Sequence, residues 1–313
     1  MKANNINDLL GRIISREEYL NLESVLIVDG VGNIPPSSFS GHPKLHSITI
    51  PDSVKYIYSE AFERCANLEM IRIPDSVIYV GRNAFSQCQN LRSVIIGKGI
   101  KEIKERVFSN CKNISSIVFQ GNFQYVFKDV FSRCYKLEAL EIKDDEKYDS
   151  RNNCNAIIET KSNTLIWGCS STTIPNSVSR IGECAFIGNI LLKSIVIPGS
   201  VVRIKVGAFA GCSKLSSVKF EEGITEIEDS AFFGCKMKSI TIPEGLKKIE
   251  DNAFAWCSNL AEVYLPDSVE EIGEHVFFEC RKLKSIYIPK GSLNKFKSLF
   301  IPWYHIYLKE LSV

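Results

Sequence analysis

The chain has 313 residues, of which 45% are hydrophobic and 24% are charged, a composition typical of an ordinary globular protein. Its 38 basic and 36 acidic residues leave a formal charge of +2, so no global field favours nucleic acid or anionic lipid as a partner. No run of residues approaches the roughly 18 consecutive apolar positions that a membrane span needs.

Residues 1–21 are predicted to form an N-terminal capping helix. Apolar side chains recur there at helical spacing, at Ile6, Leu9, Leu10, Ile13 and Ile14. Such a face can cover the first repeat of a stack, whereas the mixed charges around it argue against a membrane-surface role. The segment also lacks the continuous apolar core and the cleavage site of a secretory signal.

Residues 22–291 are predicted to form a solenoid, because one unit is repeated through them. A clear copy runs from Leu68 to Asn90 and reads LEMIRIPDSVIYVGRNAFSQCQN. Self-similarity at a fixed period of this length is typical of stacked coils that bury their apolar sides against one another. Ten phenylalanines mark the register and are predicted to form the repeat core: Phe39, Phe62, Phe85, Phe108, Phe131, Phe186, Phe209, Phe232, Phe254 and Phe277.

A typical unit contains three local patterns. The motif L-x-x-I-x-I-P predicts a short strand that the proline ends. The following S-V-x-x-I returns apolar residues to the core, and A-F-x-x-C predicts a compact helical or 3-10 turn. Twelve strand positions are expected to stack as a parallel sheet, starting at Leu22, Leu45, Leu68, Leu91, Ile114, Leu137, Cys169, Leu192, Leu215, Met237, Leu260 and Leu283.

Eight of the eleven cysteines follow the repeat phenylalanine by three residues: Cys65, Cys88, Cys111, Cys134, Cys212, Cys235, Cys257 and Cys280. A cysteine in every coil is interpreted as a small buried filler rather than as half of a disulfide or a metal site. Cys184 shares a column with Ser37, Glu60, Asn83, Arg106 and Asp129, and is therefore predicted to be exposed, as is Cys154. An array of thiols suits a reducing compartment.

An insertion at about 143–168 interrupts the repeats and replaces one copy of the A-F-x-x-C pattern, called here the phenylalanine cassette. Ala156–Thr160 and Thr164–Trp167 are predicted to form a β-hairpin that projects from the solenoid. Such a loop is a favoured place for function, although it can equally be a cover for a discontinuity. The acidic residues Asp144, Asp145, Glu146 and Asp149 do not have EF-hand spacing, so a solvated loop is favoured over a cation site.

Alternation along the strands predicts which side chains the sheet displays. One column is mostly serine, which indicates a close-packing requirement. The neighbouring column varies, and eight of its twelve members are the candidate protein-binding residues: Arg72, Ile95, Val118, Glu141, Val196, Lys219, Tyr264 and Tyr287. Tyr264 and Tyr287 are expected to stack, and tyrosine is enriched at contact hot spots. The alternative is that these residues reflect only the β propensity of an exposed face.

Catalysis finds little support in the sequence. The four histidines, His42, His46, His275 and His305, fall at unrelated repeat positions, with His42 in the cysteine position. No phosphate-binding or dinucleotide-binding glycine motif occurs, and no catalytic residue, cofactor or metal site is predicted.

Residues 292–313 leave the repeat and are predicted to form a C-terminal cap. Ser292 is expected to cap a short helix that carries Leu293, Phe296, Leu299 and Phe300. Trp303, Tyr304 and Tyr307 are expected to add apolar cover. The alternative is an exposed aromatic docking tail.

Units such as LEMIRIPDSVIYVGRNAFSQC and LAEVYLPDSVEEIGEHVFFEC resemble the BspA-like bacterial leucine-rich repeats. The resemblance covers residues 22–291. It implies a curved, right-handed solenoid with a parallel β-sheet on its concave side. It also implies membership of a group of cell-surface or secreted proteins associated with adhesion and host-protein binding.

The functional prediction is a non-enzymatic protein-binding module, a monomer that contacts a host or matrix protein through its concave face. An intracellular scaffold is the alternative, since no signal peptide is visible and the thiols suit the cytoplasm. A hydrolytic or metal-dependent site in the insertion is the third possibility. The sequence leaves localisation open.

Overall fold

In the computed structural model, residues 6–121, 125–126, 130–143 and 145–311 are described. The chain divides into two compact units, Met1–Ser150 and Arg151–Val313. The boundary falls inside the predicted insertion. Within the described residues, no helix is both long and apolar enough to cross a membrane.

Unit 1 contains two short helices, followed by alternating long and short strands. The elements are α1 (Ile6–Leu10), α2 (Arg16–Leu20), β1 (Ser24–Leu26), β2 (Asn33–Ile34), β3 (Ser47–Thr49), β4 (Tyr56–Ile57), β5 (Met70–Ile73), β6 (Tyr79–Val80), β7 (Ser93–Ile96), β8 (Glu102–Ile103), β9 (Ser116–Gln120), β10 (Tyr125–Val126), β11 (Ala139–Lys143) and β12 (Tyr148–Asp149).

The strands of unit 1 form two parallel columns. In the first column β1 pairs with β3, and β5, β7, β9 and β11 form a continuous sheet. The second column joins the two-residue strands β2, β4, β6, β8 and β10. Pairing advances by one repeat, so that Met70 lies opposite Ser93 and Tyr56 opposite Tyr79. The predicted parallel solenoid is confirmed. The second column of strands was not predicted, because strands of two residues are too short to show an alternating hydrophobic pattern.

The N-terminal segment, predicted as one helix, contains two. Gly11 has a φ of 64° at the end of α1, and Ser15 begins α2 with a capping box in which its hydroxyl and the Glu18 carboxylate each bond the other's backbone N–H. Leu9 is buried, whereas Ile13 lies between the helices and is 88% exposed. The sequence spacing is helical, but the glycine and the serine divide it.

Stacked phenylalanine rings run through the interior of both units. In unit 1 the ring centroids of Phe39, Phe62, Phe85 and Phe108 are 5.0–5.4 Å apart and nearly parallel. The backbone supports this stack, because Phe62 N–H donates to Ala84 O of the next coil at 2.8 Å. Nine of the ten predicted core phenylalanines are buried. Phe131 is half-buried, at the point where the sequence has no phenylalanine cassette to follow it.

The cysteine column has a more specific role than filling space. Each thiol donates a hydrogen bond to the carbonyl of the phenylalanine one coil earlier, at Sγ–O distances of 3.0–3.3 Å, for Cys65, Cys88, Cys111, Cys134, Cys212, Cys235, Cys257 and Cys280. All eleven cysteines are thiols rather than disulfides. Burial raises the pKa of Cys65, Cys212 and Cys280 to about 12, which keeps the donor proton in place.

Unit 2 repeats the same plan after a hairpin and ends with a helical segment and a strand. Its elements are a 3-10 turn (Arg151–Asn153), β13 (Ala156–Glu159), β14 (Thr164–Gly168), β15 (Arg180–Ile181), β16 (Ser194–Ile197), β17 (Arg203–Ile204), β18 (Ser217–Phe220), β19 (Glu226–Ile227), β20 (Ser239–Thr241), β21 (Lys248–Ile249), β22 (Glu262–Tyr264), β23 (Glu271–Ile272), β24 (Ser285–Ile288), α3 (Leu293–Leu299), a 3-10 helix (Pro302–Tyr307) and β25 (Leu308–Glu310).

The hairpin of β13 and β14 is antiparallel, but it does not project as predicted. β14 pairs in parallel with β15 and so joins the short-strand column β15, β17, β19, β21 and β23. Ala156, Ile158 and Leu165 are buried. Cys154, predicted to be exposed, is also buried, while Cys184 is half-buried. Apolar residues on both strands explain this docking, because a projecting hairpin would leave them in water.

Gly168 occupies the place of the missing phenylalanine. Its N–H donates to Ala185 O at 3.0 Å, just as Phe62 donates to Ala84. A Cβ added at Gly168 would lie 2.1 Å from the Phe186 ring. The end of the hairpin is therefore a coil of the stack in which the facing ring takes the volume of the absent side chain.

Within the described residues, eleven of the twelve predicted strand positions form strands. The exception begins at Cys169. Thr172 stands where the other repeats have Val, Ile or Leu, and its hydroxyl accepts from Cys169 N–H at 2.7 Å and donates to Asn155 O at 2.6 Å. These bonds close a local turn in place of a ladder.

The C-terminal segment contains α3, as predicted, but the helix is capped differently. The Ser292 hydroxyl donates backwards to Pro289 O at 2.6 Å. Glu310 on β25 supplies the carboxylate that accepts from Leu293 N–H at 3.1 Å. β25 itself was not predicted, and it pairs in parallel with β24.

Aromatic residues of this segment cover the end of the phenylalanine stack. Phe296, Phe300 and Tyr304 are buried, and the Phe300 and Tyr304 ring centroids lie 6.2 and 6.0 Å from that of Phe277. Trp303, predicted as part of the cover, is instead 73% exposed, because it falls on the outer side of the 3-10 helix.

Candidate binding surface on the long-strand face

The candidate binding residues lie on the outward side of the long strands, a surface called here the strand face. On β5 the burial alternates, with Met70 and Arg72 exposed and Ile71 and Ile73 buried. The same alternation is seen on β16. The strand face therefore displays the two columns that the alternation predicted.

In unit 1 the predicted residues form one row. Arg72 lies opposite Ile95, Ile95 opposite Val118, and Val118 opposite Glu141. Ile95 and Val118 are half-buried between two charged ends, and the Glu141 carboxylate lies 3.4 Å from Lys143 Nζ. The row offers a small apolar centre with a cation at one end and an ion pair at the other.

In unit 2 the predicted residues form two groups. Val196 lies opposite Lys219 on β16 and β18. Further along, Tyr264 lies opposite Tyr287, with ring centroids 4.7 Å apart and an interplanar angle of 17°. The expected stack of the two rings is confirmed.

Polar groups surround the tyrosine stack. The Tyr264 hydroxyl donates to the Glu262 carboxylate at 3.3 Å. The pKa of Tyr264 is raised, mainly by desolvation and secondly by the negative charge of this carboxylate. Lys309 lies opposite Tyr287 on β25 and donates to the Ser285 hydroxyl at 2.6 Å. The stack therefore presents two half-buried aromatic rings between a carboxylate and an ammonium group.

Several residues of the strand face were not predicted as binding residues, among them Glu262 beside Tyr264, Lys309, Leu26 and Met70. Lys309 belongs to a strand that the repeat pattern does not contain. Leu26 and Met70 are 68% and 57% exposed; an exposed apolar residue at a known register position was the available signal for both.

The insertion gives no support to a cation site. Asp144 lies outside the described residues. The Asp145 carboxylate accepts hydrogen bonds from Lys147 N–H and Tyr148 N–H at 2.8 and 2.9 Å, which is the role of a turn-forming aspartate. Across the described part of the chain, no group of three metal-ligating side chains is assembled.

Comparison with known proteins decides the family. Residues 17–154 and 179–301 match the family model for the BspA type leucine rich repeat region, in six copies. The chain belongs to the BspA-type leucine-rich-repeat family. None of the curated proteins matches it in sequence.

Solved structures of other proteins share the fold of this chain. A leucine rich cell surface protein from Faecalibacterium prausnitzii is 34% identical, with a TM-score of 0.67 over 90% of this chain and 76% of that one. The pneumococcal vaccine antigen PcpA is 19% identical, with a TM-score of 0.69 over 93% and 80%. A leucine-rich repeat protein from Bacteroides ovatus is 22% identical, with a TM-score of 0.52 over 93% and 84%. The last two similarities concern the fold alone.

Proposed function

We propose that this protein is a non-enzymatic module that binds a protein partner through its strand face, with the Tyr264–Tyr287 stack as the main anchor. The supporting observation is the stack itself, two parallel aromatic rings held half-buried on a rigid sheet. Rigid aromatic side chains contribute most of the binding energy at many protein interfaces, since they lose little conformational entropy on binding.

A cell-surface location and an adhesive role are part of the same proposal. The similar protein from F. prausnitzii is described as a cell surface protein, and a partner outside the cell would be a host or matrix protein. The second candidate is an intracellular scaffold, which the eleven thiols favour because cysteines stay reduced inside cells.

The test compares two double substitutions in capture experiments. Purified extracellular-matrix proteins and a cell lysate are each passed over immobilised wild-type protein, and bound partners are then titrated by surface plasmon resonance. The variant Tyr264→Ser with Tyr287→Ser should weaken binding about 30-fold, as expected when an aromatic pair that together contributes about 2 kcal/mol is removed. Its melting temperature should stay close to that of the wild type, because both rings are only half-buried.

A matched control changes two tyrosines on the two-residue strands, which form a separate sheet from the long strands. Tyr56 and Tyr79 lie opposite each other on β4 and β6 and are also partly exposed, so Tyr56→Ser with Tyr79→Ser alters the same chemistry away from the strand face. Unchanged affinity in the Tyr264/Tyr287 variant would contradict the proposal. A partner found only among matrix proteins supports adhesion, and one found only in the lysate supports the scaffold.

A further inference from the structure

A second aromatic surface lies in unit 2, on the turns that follow the repeat phenylalanines rather than on the strand face. Phe233, Trp256 and Phe278 are 36%, 45% and 46% exposed. The Trp256 ring centroid lies 6.5 Å from those of Phe233 and Phe278. These three residues form a continuous row, called here the aromatic row.

The repeat does not require aromatic residues at these positions. Phe233 and Phe278 directly follow a core phenylalanine, and unit 1 has polar residues at the same position: Ser40, Glu63, Ser86, Ser109 and Ser132. The turn is built alike in both cases, since Arg64 N–H donates to Ser86 O at 2.8 Å and Trp256 N–H donates to Phe278 O at 2.7 Å. Packing of the solenoid therefore does not explain the aromatic row.

Trp256 occupies a turn position that has a positive φ in all ten repeats with a core phenylalanine. Its φ is 60°, in the left-handed region, like those of the equivalent residues in the other repeats of unit 2, which are Gly188, Gly211, Gly234 and Glu279. Non-glycine residues hold the same conformation in unit 1, at Arg64, Gln87, Asn110 and Arg133. The positive φ therefore belongs to the repeat, and the exposed indole is what distinguishes this coil. Ala255 next to it is buried and small, which leaves room for the indole between the two phenylalanines.

The aromatic row runs into a groove of about 540 Å³ at the C-terminal end of unit 2. Phe278 belongs to both, and the groove is further lined by His275, Ile301, Trp303 and Tyr307. With Trp303 73% exposed, row and groove together offer one apolar, aromatic path.

The charged side chains of the groove neutralise each other. Arg281 Nε lies 2.6 Å from the Glu279 carboxylate, and the Arg281 guanidinium also stands over the Trp256 ring at 6.0 Å. A groove whose charged pair is already satisfied favours an uncharged ligand, because a charged ligand would lose its hydration without gaining a partner.

We propose that the aromatic row and the adjoining groove bind an uncharged, proline-rich peptide segment. Polyproline II segments are ordered before binding and dock on aromatic-lined grooves. The aromatic row, with its two 6.5 Å steps, is long enough to contact about four residues of such a segment at roughly 3.1 Å per residue. The indole N–H groups of Trp256 and Trp303 are donors for the backbone carbonyls that a polyproline II segment leaves unbonded.

Fluorescence anisotropy with a fluorescein-labelled decaproline tests this proposal on the full chain. Saturable binding is expected, with much weaker binding of a Gly-Ser decapeptide and of an alternating Pro-Glu decapeptide. Trp256→Gly and Trp303→Ser should each weaken decaproline binding about tenfold or more, as for the loss of an aromatic hot spot. Trp256→Gly should still fold, because glycine fills the equivalent turns.

Ile187→Ser is the matched control, since Ile187 is 51% exposed at the same turn position as Phe233 but lies outside the aromatic row. This variant should bind decaproline with the affinity of the wild type. Three outcomes would overturn the proposal: absence of saturable decaproline binding, equal binding of the Gly-Ser peptide, or unchanged affinity in both tryptophan variants. A dimer in sedimentation that Trp256→Gly disperses would overturn it in favour of self-association. Because the Tyr264/Tyr287 variant leaves this surface intact, its result is independent of this test.

Discussion

At the scale of single residues, the cysteine position shows how the coils are linked. Phe62 O accepts from Cys65 N–H of its own coil at 3.2 Å and from the Cys88 thiol of the next coil at 3.1 Å. In the first coil His42 stands in this position, and its Nε2 lies 2.6 Å from Tyr19 O in α2. The longer imidazole reaches a carbonyl of the N-terminal segment where no earlier repeat phenylalanine exists.

His42 should make folding stability depend on pH. Its side chain is 1% exposed, and desolvation lowers the pKa of His42 against the opposing effect of the Tyr19 carbonyl. The unfolded chain therefore binds a proton near pH 6.5 while the folded chain does not, so this contribution is complete above about pH 6.5 and is lost as the pH falls below it. Urea unfolding at pH 7.5, 6.5 and 5.5 should show a steeper loss for wild type than for His42→Gln, which keeps a donor for Tyr19. Parallel pH profiles for the two proteins would contradict this role.

At the scale of elements, the sequence predicted those features that follow from the two-residue alternation of a strand or from the 23-residue repeat. The long strands and the core phenylalanines repeat often enough to be found, and Tyr264 and Tyr287 could be paired from the register alone. The two-residue strands such as Tyr56–Ile57 are too short for alternation to show. Docking of the β13–β14 hairpin depends on Gly168 meeting Phe186, a contact between residues 18 positions apart that no local pattern encodes.

Gly168→Ala should destabilise unit 2, because the new methyl group would overlap the buried Phe186 ring, 2.1 Å away. Overpacking of this kind costs about 1–3 kcal/mol, measurable as a lower urea midpoint with an unchanged slope. Gly168→Ala combined with Phe186→Leu should lose less stability than the two single changes added together, since the smaller side chain makes room for the methyl group. Strict additivity in this double-mutant cycle would show that the two residues do not share the space.

At the scale of the whole molecule, the first and last coils of a stack each lack a neighbouring coil on one side. Each end coil would otherwise show an apolar side and an open strand edge. We propose that residues 1–21 and 292–313 are terminal covers. At the first end, Val28 N–H donates to Leu9 O at 3.1 Å and the Tyr19 hydroxyl donates to Ser38 O at 3.1 Å. At the second end, β25 extends the sheet beyond β24 and Phe296 is fully buried.

Truncation after Gly291 tests the C-terminal cover. It removes β25 and the rings of Phe300 and Tyr304, so the edge of β24 and the buried face of Phe277 would meet water. Loss of solubility and a concentration-dependent shift to larger species in size-exclusion chromatography are expected, because exposed strand edges and apolar patches promote association. Ile306→Ser is the control, since Ile306 is 77% exposed in the same segment and its change should leave the protein in its wild-type state. A truncated protein that stays soluble, with a sharp thermal transition at the wild-type temperature, would instead identify residues 292–313 as a docking tail.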